Sequence, residues 1–343
     1  MTTSSSKETN VLFIWEVPEK LQDYLRKGLE NVDNLKLIFP DKHSEEEFLR
    51  HAPNADIIVG WRPSDDLLDA AEKLKLHINP GAGVQHLIEQ FQRVNQTREI
   101  ILVNGHGNSY FTAQHAVALL LALSNRIILH HNWMTEGLWR RGDTHAKSIP
   151  IRFRKIGLLG YGAVNSKVHK FLAGFNVDFH ILKRCWDDAV QMPTEATKYV
   201  PDEFESFLKE IDTLIIAVPQ TEETASLIGS KELELLGKES LLVNMARGSV
   251  IVEKELYQAL LHGKIAGAAI DVWYDYKPEP DEKGKKYPYH YPFHELDNVV
   301  LSPHRGASPM DDLLRWNEVI ENILRFCRGE NVFLNMVDLQ RGY

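Results

Sequence analysis

The sequence KIGLLGYGAVN at residues 155–165 decides the fold of this chain. A short apolar run, typical of a buried strand, leads into Gly160 and Gly162, and a segment with helical spacing follows at about 167–173. Gly160 allows a tight turn, and Gly162 lets the backbone approach a pyrophosphate at the positive end of that helix. The usual third glycine, which serves helix–strand packing, is Asn165 here. A bare G-x-G pair can be purely structural, but one placed between a strand and a helix predicts a dinucleotide-binding turn.

Short apolar runs and amphipathic stretches alternate on both sides of this turn. The periodicity predicts a first series of strands and helices, a long helix from 110 to about 133 that is apolar nearly all round, and a second series of strands. The first series has strands at 11–15, 35–39, 56–60 and 76–78 and helices at 19–29, 44–51 and 64–73; the second has strands at 155–160, 177–181, 213–218, 241–244, 266–271 and 299–301.

This alternation is typical of α/β proteins with doubly wound parallel sheets. At 343 residues the chain suits two domains. We predict a flavodoxin-like substrate domain at 1–107 and 305–343, and a Rossmann dinucleotide-binding domain at 108–304. The long helix has the composition of one buried between two domains, and the amphipathic stretch 310–327 is expected to return to the first domain.

Composition narrows the classes of function. A net charge of −9 argues against nucleic acid or an anionic membrane as the main partner, since both require a basic surface. No apolar run approaches the length needed to span a bilayer, and the polar residues 1–10 are expected to form a frayed tail. Two cysteines, Cys185 and Cys327, indicate no disulfide framework and a cytoplasmic protein, with both thiols inert. No metal-binding spacing is present, so we expect no metal.

The strand after the glycine turn bears on the choice of cofactor. An NAD-binding domain usually ends this strand with Asp or Glu, which accepts from the ribose 2′-hydroxyl. Here it ends in Lys183 and Arg184, and the first carboxylate is Asp187. Both cations suit a 2′-phosphate, which favours NADP over NAD, although a solvated basic turn would look the same.

The chain resembles the D-isomer-specific 2-hydroxyacid dehydrogenase family over nearly its whole length. The resemblance rests on the glycine turn and on six further stretches, at 79–84 (NPGAGV), 113–123 (AQHAVALLLAL), 218–224 (VPQTEET), 243–250 (VNMARGSV), 269–273 (AIDVW) and 298–306 (NVVLSPHRG). It implies a homodimeric NAD(P)-dependent enzyme that interconverts small 2-keto acids and D-2-hydroxy acids, with its active site between two domains.

The resemblance also implies roles for single residues. Arg247 matches the arginine that binds the substrate's carboxylate and carbonyl oxygens, and a guanidinium suits such two-point binding. His304 matches the acid/base. The resemblance also implies that the backbone amides of Ala82, Gly83 and Val84 bind the substrate's carboxylate. Asp271 matches the residue that contacts the nicotinamide carboxamide. Further cofactor contacts are implied at Gly160, Tyr161, Gly162, Ala163, Val164, Val218, Pro219, Thr224, Met245, Ala246, His304 and Gly306.

The family's catalytic glutamate has no simple match. It normally follows the aspartate by about five residues and raises the pKa of the histidine, but position 276 is Tyr276. Glu279, in a Glu-Pro pair like the family's, lies three residues further on. Either an insertion lets Glu279 reach back to His304, or the histidine has lost its carboxylate partner.

Two further questions stay open. The aromatic-rich connection at 274–293 could have a functional role, lining a substrate pocket or contacting a partner subunit. The alternative is a surface loop whose aromatic side chains pack on one another. The alternative function is a dinucleotide-sensing scaffold with little turnover, which the displaced glutamate favours and the pair Arg247 and His304 opposes. Oxidation of formate or phosphite uses the same scaffold, but nothing here singles out so small a substrate.

Overall fold

The computed structural model describes residues 8–186, 191–307 and 311–343. The chain divides into two compact units. Unit 1 comprises Met1–Asn108 and Pro309–Tyr343, and unit 2 comprises Ser109–Ser308. Residues 1–7 of the predicted tail, the carboxylate of Asp187 and the first residue of the predicted 310–327 segment lie outside the described residues.

Strands and helices alternate along both units. The strands are β1 Thr9–Phe13, β2 Leu35–Ile38, β3 Ile57–Val59, β4 Leu76–Asn79, β5 Ile101–Asn104, β6 Lys155–Leu159, β7 Asp178–Leu182, β8 Ala196–Tyr199, β9 Thr213–Ile216, β10 Leu241–Asn244, β11 Gly267–Ile270 and β12 Val299–Leu301. The helices are α1 Glu19–Gly28, α2 Glu45–His51, α3 Asp65–Ala70, α4 Ile88–Val94, α5 Ser109–Ser124, α6 Ile127–Thr135, α7 Gly142–His145, α8 Asn165–Leu172, α9 Phe204–Glu210, α10 Ser230–Leu236, α11 Glu253–Leu261 and α12 Asn317–Cys327.

Unit 1 is built on a parallel sheet with the strand order β2-β1-β3-β4-β5. This is the flavodoxin-like order. Strands β1, β3, β4 and β5 are mostly buried and rich in Val, Ile and Leu, as strands covered on both faces require, whereas the edge strand β2 is partly exposed. Ser44 and Ser64 cap α2 and α3 by accepting from backbone amides, so these helices begin where the sequence places a capping side chain.

Unit 2 is built on a second parallel sheet, whose order among the described residues is β12-β11-β10-β9-β6-β7-β8. From β6 the chain adds β7 and β8 on one side, and it then returns to place β9 on the other side of β6, as in a Rossmann domain. In such sheets, ligands bind beyond the carboxyl ends of the strands that flank the reversal. The turn at Gly160 follows β6, and Val218 comes shortly after β9. These two predicted cofactor residues therefore lie at the point where the strand order reverses.

The structure corrects three predictions of local structure. The helix predicted from 110 to about 133 is two helices, α5 and α6, which meet at an angle of 60°. The break occurs because Arg126 has a left-handed backbone, with φ 55°, and cannot continue α5. Thr9 and Asn10, predicted as tail, belong to β1, and the strands β5 and β8 were not predicted.

Helix α5 packs against α8 and the strands β10 to β12 of unit 2. Its buried side chains belong to the apolar core beneath the glycine turn, which explains the lack of a polar face. Among the described residues no single helix is long and apolar enough to cross a membrane, although the bent pair of α5 and α6 passes the same test by length and composition.

Candidate active site

The turn between β6 and α8 has the geometry that a pyrophosphate requires. Gly160 has φ 82°, and a Cβ there would lie 2.7 Å from the carbonyl oxygen of Ala217, so no other residue fits without strain. A Cβ on Gly162 would meet nothing within 4 Å, which leaves open space above the turn. The backbone amides of Gly162, Ala163 and Val164 donate to no acceptor among the described residues. Unpaired amides at the start of a helix suit an anionic phosphate, so this turn fits a dinucleotide.

Asn165, which stands in place of the expected third glycine, joins the helix to the turn by hydrogen bonds. Its side-chain amide donates to the carbonyl oxygens of Leu159, Gly160 and Ile215 at 3.2, 2.7 and 3.3 Å. The residue is fully buried at the first position of α8. Hydrogen bonds from helix to strand thus take over the packing role of a glycine.

Tyr161 has a structural side chain. It is buried, and its hydroxyl lies 2.8 Å from Nδ1 of His169 in the core beneath the turn. Burial lowers the pKa of His169 to about 4, so this histidine is neutral there. Only the backbone of Tyr161 remains for the contact with the cofactor that the sequence analysis assigned to it.

The loop after β9 contains three of the other predicted cofactor residues. Val218 lies against the turn, with Cγ1 2.9 Å from the position of a Cβ on Gly160. The hydroxyl of Thr224 donates to the carbonyl oxygen of Pro219 at 2.7 Å and accepts from the amide of Thr221 at 2.9 Å. This closes the loop on itself at the carboxyl end of β9.

Arg247 follows β10 in a turn that Asn244 shapes. The side chain of Asn244, which is buried, accepts from the amide of Ala246 at 3.0 Å and donates to the carbonyl oxygen of Arg247 at 3.1 Å. Met245 and Ala246 are buried in the same turn. Asn244 was not among the residues predicted from the sequence, although an amide side chain at a strand end three residues before the arginine was a usable signal.

The guanidinium of Arg247 has no carboxylate partner among the described residues. It is half-buried, and its Nη1 donates to the carbonyl oxygen of Ala246 at 2.7 Å. Burial lowers its pKa, opposed by the charge interaction with Tyr276. A partly desolvated cation without an anion is costly, so the site favours binding a carboxylate.

Asp271 organises the segment that carries His304. Its buried carboxylate accepts from the hydroxyl of Ser302 at 2.5 Å, the amide of Arg305 at 2.7 Å and the amide of Gly306 at 2.9 Å. His115 of α5 adds a contact, with Nε2 3.4 Å from Oδ1 of Asp271. Burial alone would raise the pKa of Asp271, but these hydrogen bonds keep it below its ordinary value. The carboxylate is therefore ionised and fixes the turn after β12.

His304 lies in that turn with an unusual backbone, φ 56°. Nδ1 of its ring lies 2.8 Å from the hydroxyl oxygen of Tyr276, which also accepts from the amide of Trp273 at 3.3 Å. A hydroxyl both donates and accepts, so Tyr276 can donate to Nδ1 of a neutral ring or accept from Nδ1–H of an imidazolium. In either case Nε2 is the ring nitrogen left for other partners.

The pKa of His304 is lowered. Desolvation is the main cause; the charge of Asp271 raises the pKa and the charge of Arg247 lowers it. Desolvation also raises the pKa of Tyr276, opposed by the amide of Trp273 and the charge of Arg247. Arg247, Tyr276 and His304 thus form one electrostatic group within unit 2, and Tyr276 faces His304 as a neutral phenol.

The basic end of β7 includes more cations than the sequence analysis identified. Arg184 makes an ion pair with Glu223 of the loop after β9. The ammonium of Lys183 lies 5.8 Å from the ring centre of Trp186, and that of Lys198 lies 4.9 Å from it. Lys198 is on β8, a strand that was not predicted, so its neighbourhood was not visible in the sequence.

The predicted carboxylate-binding loop, residues 79–84, lies in unit 1. The amide of Asn79 donates to the carbonyl oxygens of Gly81 and Gly83 at 2.5 and 3.3 Å, and that of Asn104 donates to Ala82 at 2.8 Å. The backbone amides of Ala82, Gly83 and Val84 donate to no acceptor among the described residues. The two asparagines thus occupy the carbonyls and leave three amides for an anion.

Comparison with known proteins supports one family. The sequence profile described as "D-isomer specific 2-hydroxyacid dehydrogenase, NAD binding domain" matches residues 117–306, more than half of the chain. The chain belongs to the D-isomer specific 2-hydroxyacid dehydrogenase family.

Relatives match over most of this chain. It is 31% identical to D-3-phosphoglycerate dehydrogenase of Archaeoglobus fulgidus over 93% of its own length and 57% of that protein. It is 29% identical to glyoxylate reductase of Pyrococcus furiosus over 92% of its own length and 86% of that protein. The chain thus spans little more than half of the first of these relatives.

The fold is shared with solved structures. A D-isomer specific 2-hydroxyacid dehydrogenase from Xanthobacter autotrophicus, solved in complex with NADPH and MES, superposes with a TM-score of 0.77. The two are 22% identical, and the match covers 98% of this chain and all of that one. At this identity the likeness shows the fold.

Within this family of 2-hydroxyacid dehydrogenases, the chain departs from the expected pattern at the histidine's partner. Of the two alternatives that the sequence left open, the structure supports the loss of the carboxylate partner, because Tyr276 rather than Glu279 makes the hydrogen bond with His304. Glu279 is exposed and makes no hydrogen bond or ion pair with His304. The reason is local: Tyr276 stands at the family's spacing and its hydroxyl reaches Nδ1, so the three-residue displacement leaves Glu279 outside the site.

The connection at 274–293 packs its own aromatic rings on the core of unit 2. Tyr287 stacks on His294 with ring centres 4.2 Å apart, and Tyr289 contacts Trp273 at 5.0 Å. The amides of Tyr274 and Asp275 donate to the carbonyl oxygen of Pro288, which ties the ends of the segment together. This packing places Tyr276 beside His304. Among the described residues no cluster of three or more His, Cys, Asp or Glu side chains suits a metal ion.

Proposed function

We propose that this chain is an NAD(P)-dependent oxidoreductase that interconverts a 2-keto acid and a D-2-hydroxy acid. The observation that carries the proposal is the group of Arg247, a cation without a carboxylate partner among the described residues, and His304, whose Nε2 is left for a substrate. Family membership supports the reaction class, and the unpaired amides at the β6–α8 turn support dinucleotide binding.

Each residue of the group has a defined task. Arg247 binds the carboxylate and the carbonyl oxygen of the substrate and stabilises negative charge as it develops on that oxygen. The amides of Ala82, Gly83 and Val84 bind a carboxylate oxygen. When bound, the nicotinamide supplies the hydride that adds to the carbonyl carbon, or takes it from the hydroxy acid.

His304 moves the proton. In reduction, imidazolium donates from Nε2 to the carbonyl oxygen while Nδ1–H donates to the hydroxyl oxygen of Tyr276. In the reverse direction, neutral His304 with its proton on Nδ1 accepts the hydroxyl proton at Nε2. Asp271 keeps His304 in place through the amides of Arg305 and Gly306, and one lone pair on its Oδ2 remains for the nicotinamide carboxamide.

We propose NADP rather than NAD as the cofactor. Lys183 stands at the carboxyl end of β7 and Lys198 on β8, and their ammonium groups lie 5.8 and 4.9 Å from the ring centre of Trp186. Neither has a carboxylate partner among the described residues, whereas Arg184 is already paired with Glu223. Two available cations favour a 2′-phosphate.

We further propose a homodimer in the cytoplasm. The exposed apolar side chains of Ile127, Ile128 and Met134 on α6, with Trp139 beyond it, support a subunit contact, because such patches usually mark interfaces. Both cysteines are free thiols, which supports a reducing compartment. Light scattering on a size-exclusion column measures the first claim, and a monomer over micromolar concentrations contradicts it.

The function is tested by following NADPH and NADH oxidation with a panel of 2-keto acids. Turnover with at least one acid, reduced by about 10²–10⁴-fold in His304→Gln, is expected. Tight nucleotide binding without turnover for any acid would point instead to a dinucleotide-sensing scaffold.

A further inference from the structure

Three tryptophans in unit 1 form one cluster. Trp15 stacks on Trp316 with ring centres 5.5 Å apart and an interplanar angle of 12°. Trp61 meets both edge-on, at 5.0 Å from Trp15 and 6.2 Å from Trp316. Trp15 follows β1, Trp61 follows β3 and Trp316 precedes α12, so the cluster lies where the carboxyl ends of the strands lie, the edge at which α/β sheets bind ligands.

The indole nitrogens of this cluster are unusual. Trp186 and Trp273 in unit 2 donate their indole N–H to carbonyl oxygens, at 3.0 and 2.8 Å, as tryptophans in protein interiors usually do. Within the part of the chain that the structure describes, the indole N–H groups of Trp15, Trp61 and Trp316 donate to no acceptor. Trp15 and Trp61 are half-exposed, so a ligand can contact both their rings and their N–H groups.

The cluster is next to the 79–84 loop. A Cβ built on Gly81 would lie 3.1 Å from the indole nitrogen of Trp61 and 3.5 Å from its Cδ1. The same loop offers the unpaired amides of Ala82 and Gly83. His86, just beyond it, lies with Nε2 2.6 Å from the carbonyl oxygen of Trp61, which fixes the tryptophan's backbone against the loop. A carboxylate on the amides therefore has indole rings beside it.

We propose that the side chain of the substrate acid is aromatic and packs on Trp61 and Trp15. This inference rests on the proposed function and specifies its substrate class. A flat apolar ring gains binding free energy from burial and from edge-to-face contact with indole. Glyoxylate, which has a hydrogen in place of a side chain, gains from neither. A phosphorylated side chain would lose solvation against rings that carry no positive charge.

The experiment compares phenylpyruvate with glyoxylate and with 3-phosphohydroxypyruvate. The expected result for the unmodified chain is a kcat/KM for phenylpyruvate at least about tenfold above that for glyoxylate. Trp61→Ala is expected to reduce the phenylpyruvate value about 10- to 100-fold more than the glyoxylate value. Phe153→Ala removes an exposed aromatic ring from unit 2 and serves as the control, with the ratio of the two values unchanged.

The outcomes separate this inference from the proposed function. Turnover of glyoxylate or 3-phosphohydroxypyruvate with no preference for phenylpyruvate, or equal losses for both acids in Trp61→Ala, overturns the aromatic assignment and leaves the reductase. No turnover of any acid contradicts the reductase. In that case calorimetric titration with phenylpyruvate decides the site: binding that Trp61→Ala weakens at least about tenfold supports it, and absent or unchanged binding overturns it.

Discussion

The hydroxyl of Tyr276 lies 2.8 Å from Nδ1 of His304, at the position where the family's pattern leads one to expect a carboxylate. A carboxylate only accepts, so it keeps a proton on Nδ1 and stabilises imidazolium by charge. A phenol both donates and accepts and carries no charge at neutral pH. Tyr276 therefore orients the ring without raising its basicity, and burial is left to lower the pKa of His304.

The pH profile should reflect this lowered pKa. Reduction requires imidazolium, so kcat/KM for the keto acid is expected to fall as pH rises through the pKa of His304, and the fall should be centred below the ordinary histidine value of about 6.5. Oxidation requires the neutral ring and should rise over the same range. Steady-state rates from pH 4.5 to 9 measure both, and a reduction profile centred well above pH 6.5 would contradict the lowered pKa.

Tyr276→Glu should move the fall in reduction to higher pH. The substitution restores an acceptor-only, charged partner, which stabilises imidazolium and raises the pKa of His304. The same pH series on the variant provides the measurement. An unmoved profile would mean that residue 276 does not contact the titrating group.

Tyr276→Phe should lower kcat about three- to tenfold, because it removes one hydrogen bond from the ring while keeping the shape. KM should change less, since the phenol does not bind substrate in this mechanism. Glu279→Gln is the matched control and should leave both constants and the pH profile unchanged. A larger effect from Glu279→Gln than from Tyr276→Phe would return the glutamate to the site.

Arg247→Lys should lose about 10²–10³ in kcat/KM while NADPH binding persists. An ammonium is a point charge and cannot bind a carboxylate and a carbonyl oxygen together as a guanidinium does. Turnover and nucleotide titration measured side by side distinguish the two effects. Near-normal turnover would remove Arg247 from the substrate site.

Replacing both Lys183 and Lys198 by Ala should reduce the preference for NADPH over NADH by more than about tenfold, because charge-assisted hydrogen bonds to the 2′-phosphate are lost. The measurement is the ratio of kcat/KM for the two nucleotides. Lys155→Ala removes a cation at the opposite end of β6 and should leave the ratio unchanged. Equal losses for both nucleotides in the double variant would mean that the cations merely face solvent.

Asn165→Ala should lower the free energy of unfolding of unit 2 by about 1–3 kcal/mol, because three carbonyl oxygens at the β6 turn lose their donor in a buried place. Urea denaturation measures the change, with the exposed Lys170→Ala on the same helix as control. A loss no greater than that of the control would show that the amide does not stabilise the turn.

Local chemistry was sufficient to predict much of this protein. Runs of apolar residues of strand length between amphipathic stretches indicated parallel sheets, and the structure confirmed two of them. Gly160, Arg247 and His304 each follow a predicted strand, so their place at the carboxyl edge of a parallel sheet follows from chain order. The family resemblance, which the comparisons confirmed, added the reaction class.

Other features depend on residues that are distant in sequence and could be found only in the tertiary structure. Lys198 reaches Trp186 because β8 pairs with β7, and β8 itself is polar and short, without the apolar pattern of a buried strand. Arg126 ends α5 through its backbone conformation, which the apolar composition on both sides conceals. Trp15, Trp61 and Trp316 meet although the first and the last are 301 positions apart in the sequence.

The partner of His304 shows the difference most clearly. The sequence placed both Tyr276 and Glu279 within reach along the chain, and charge alone favoured Glu279. The packing of the 274–293 segment on Trp273 decided the matter, since side-chain direction depends on how the whole segment is anchored. The sequence by itself determined which strands end at the site, because local apolar patterns mark where strands lie along the chain. The tertiary structure decided which side chains meet there, because those contacts depend on how segments distant in sequence pack together.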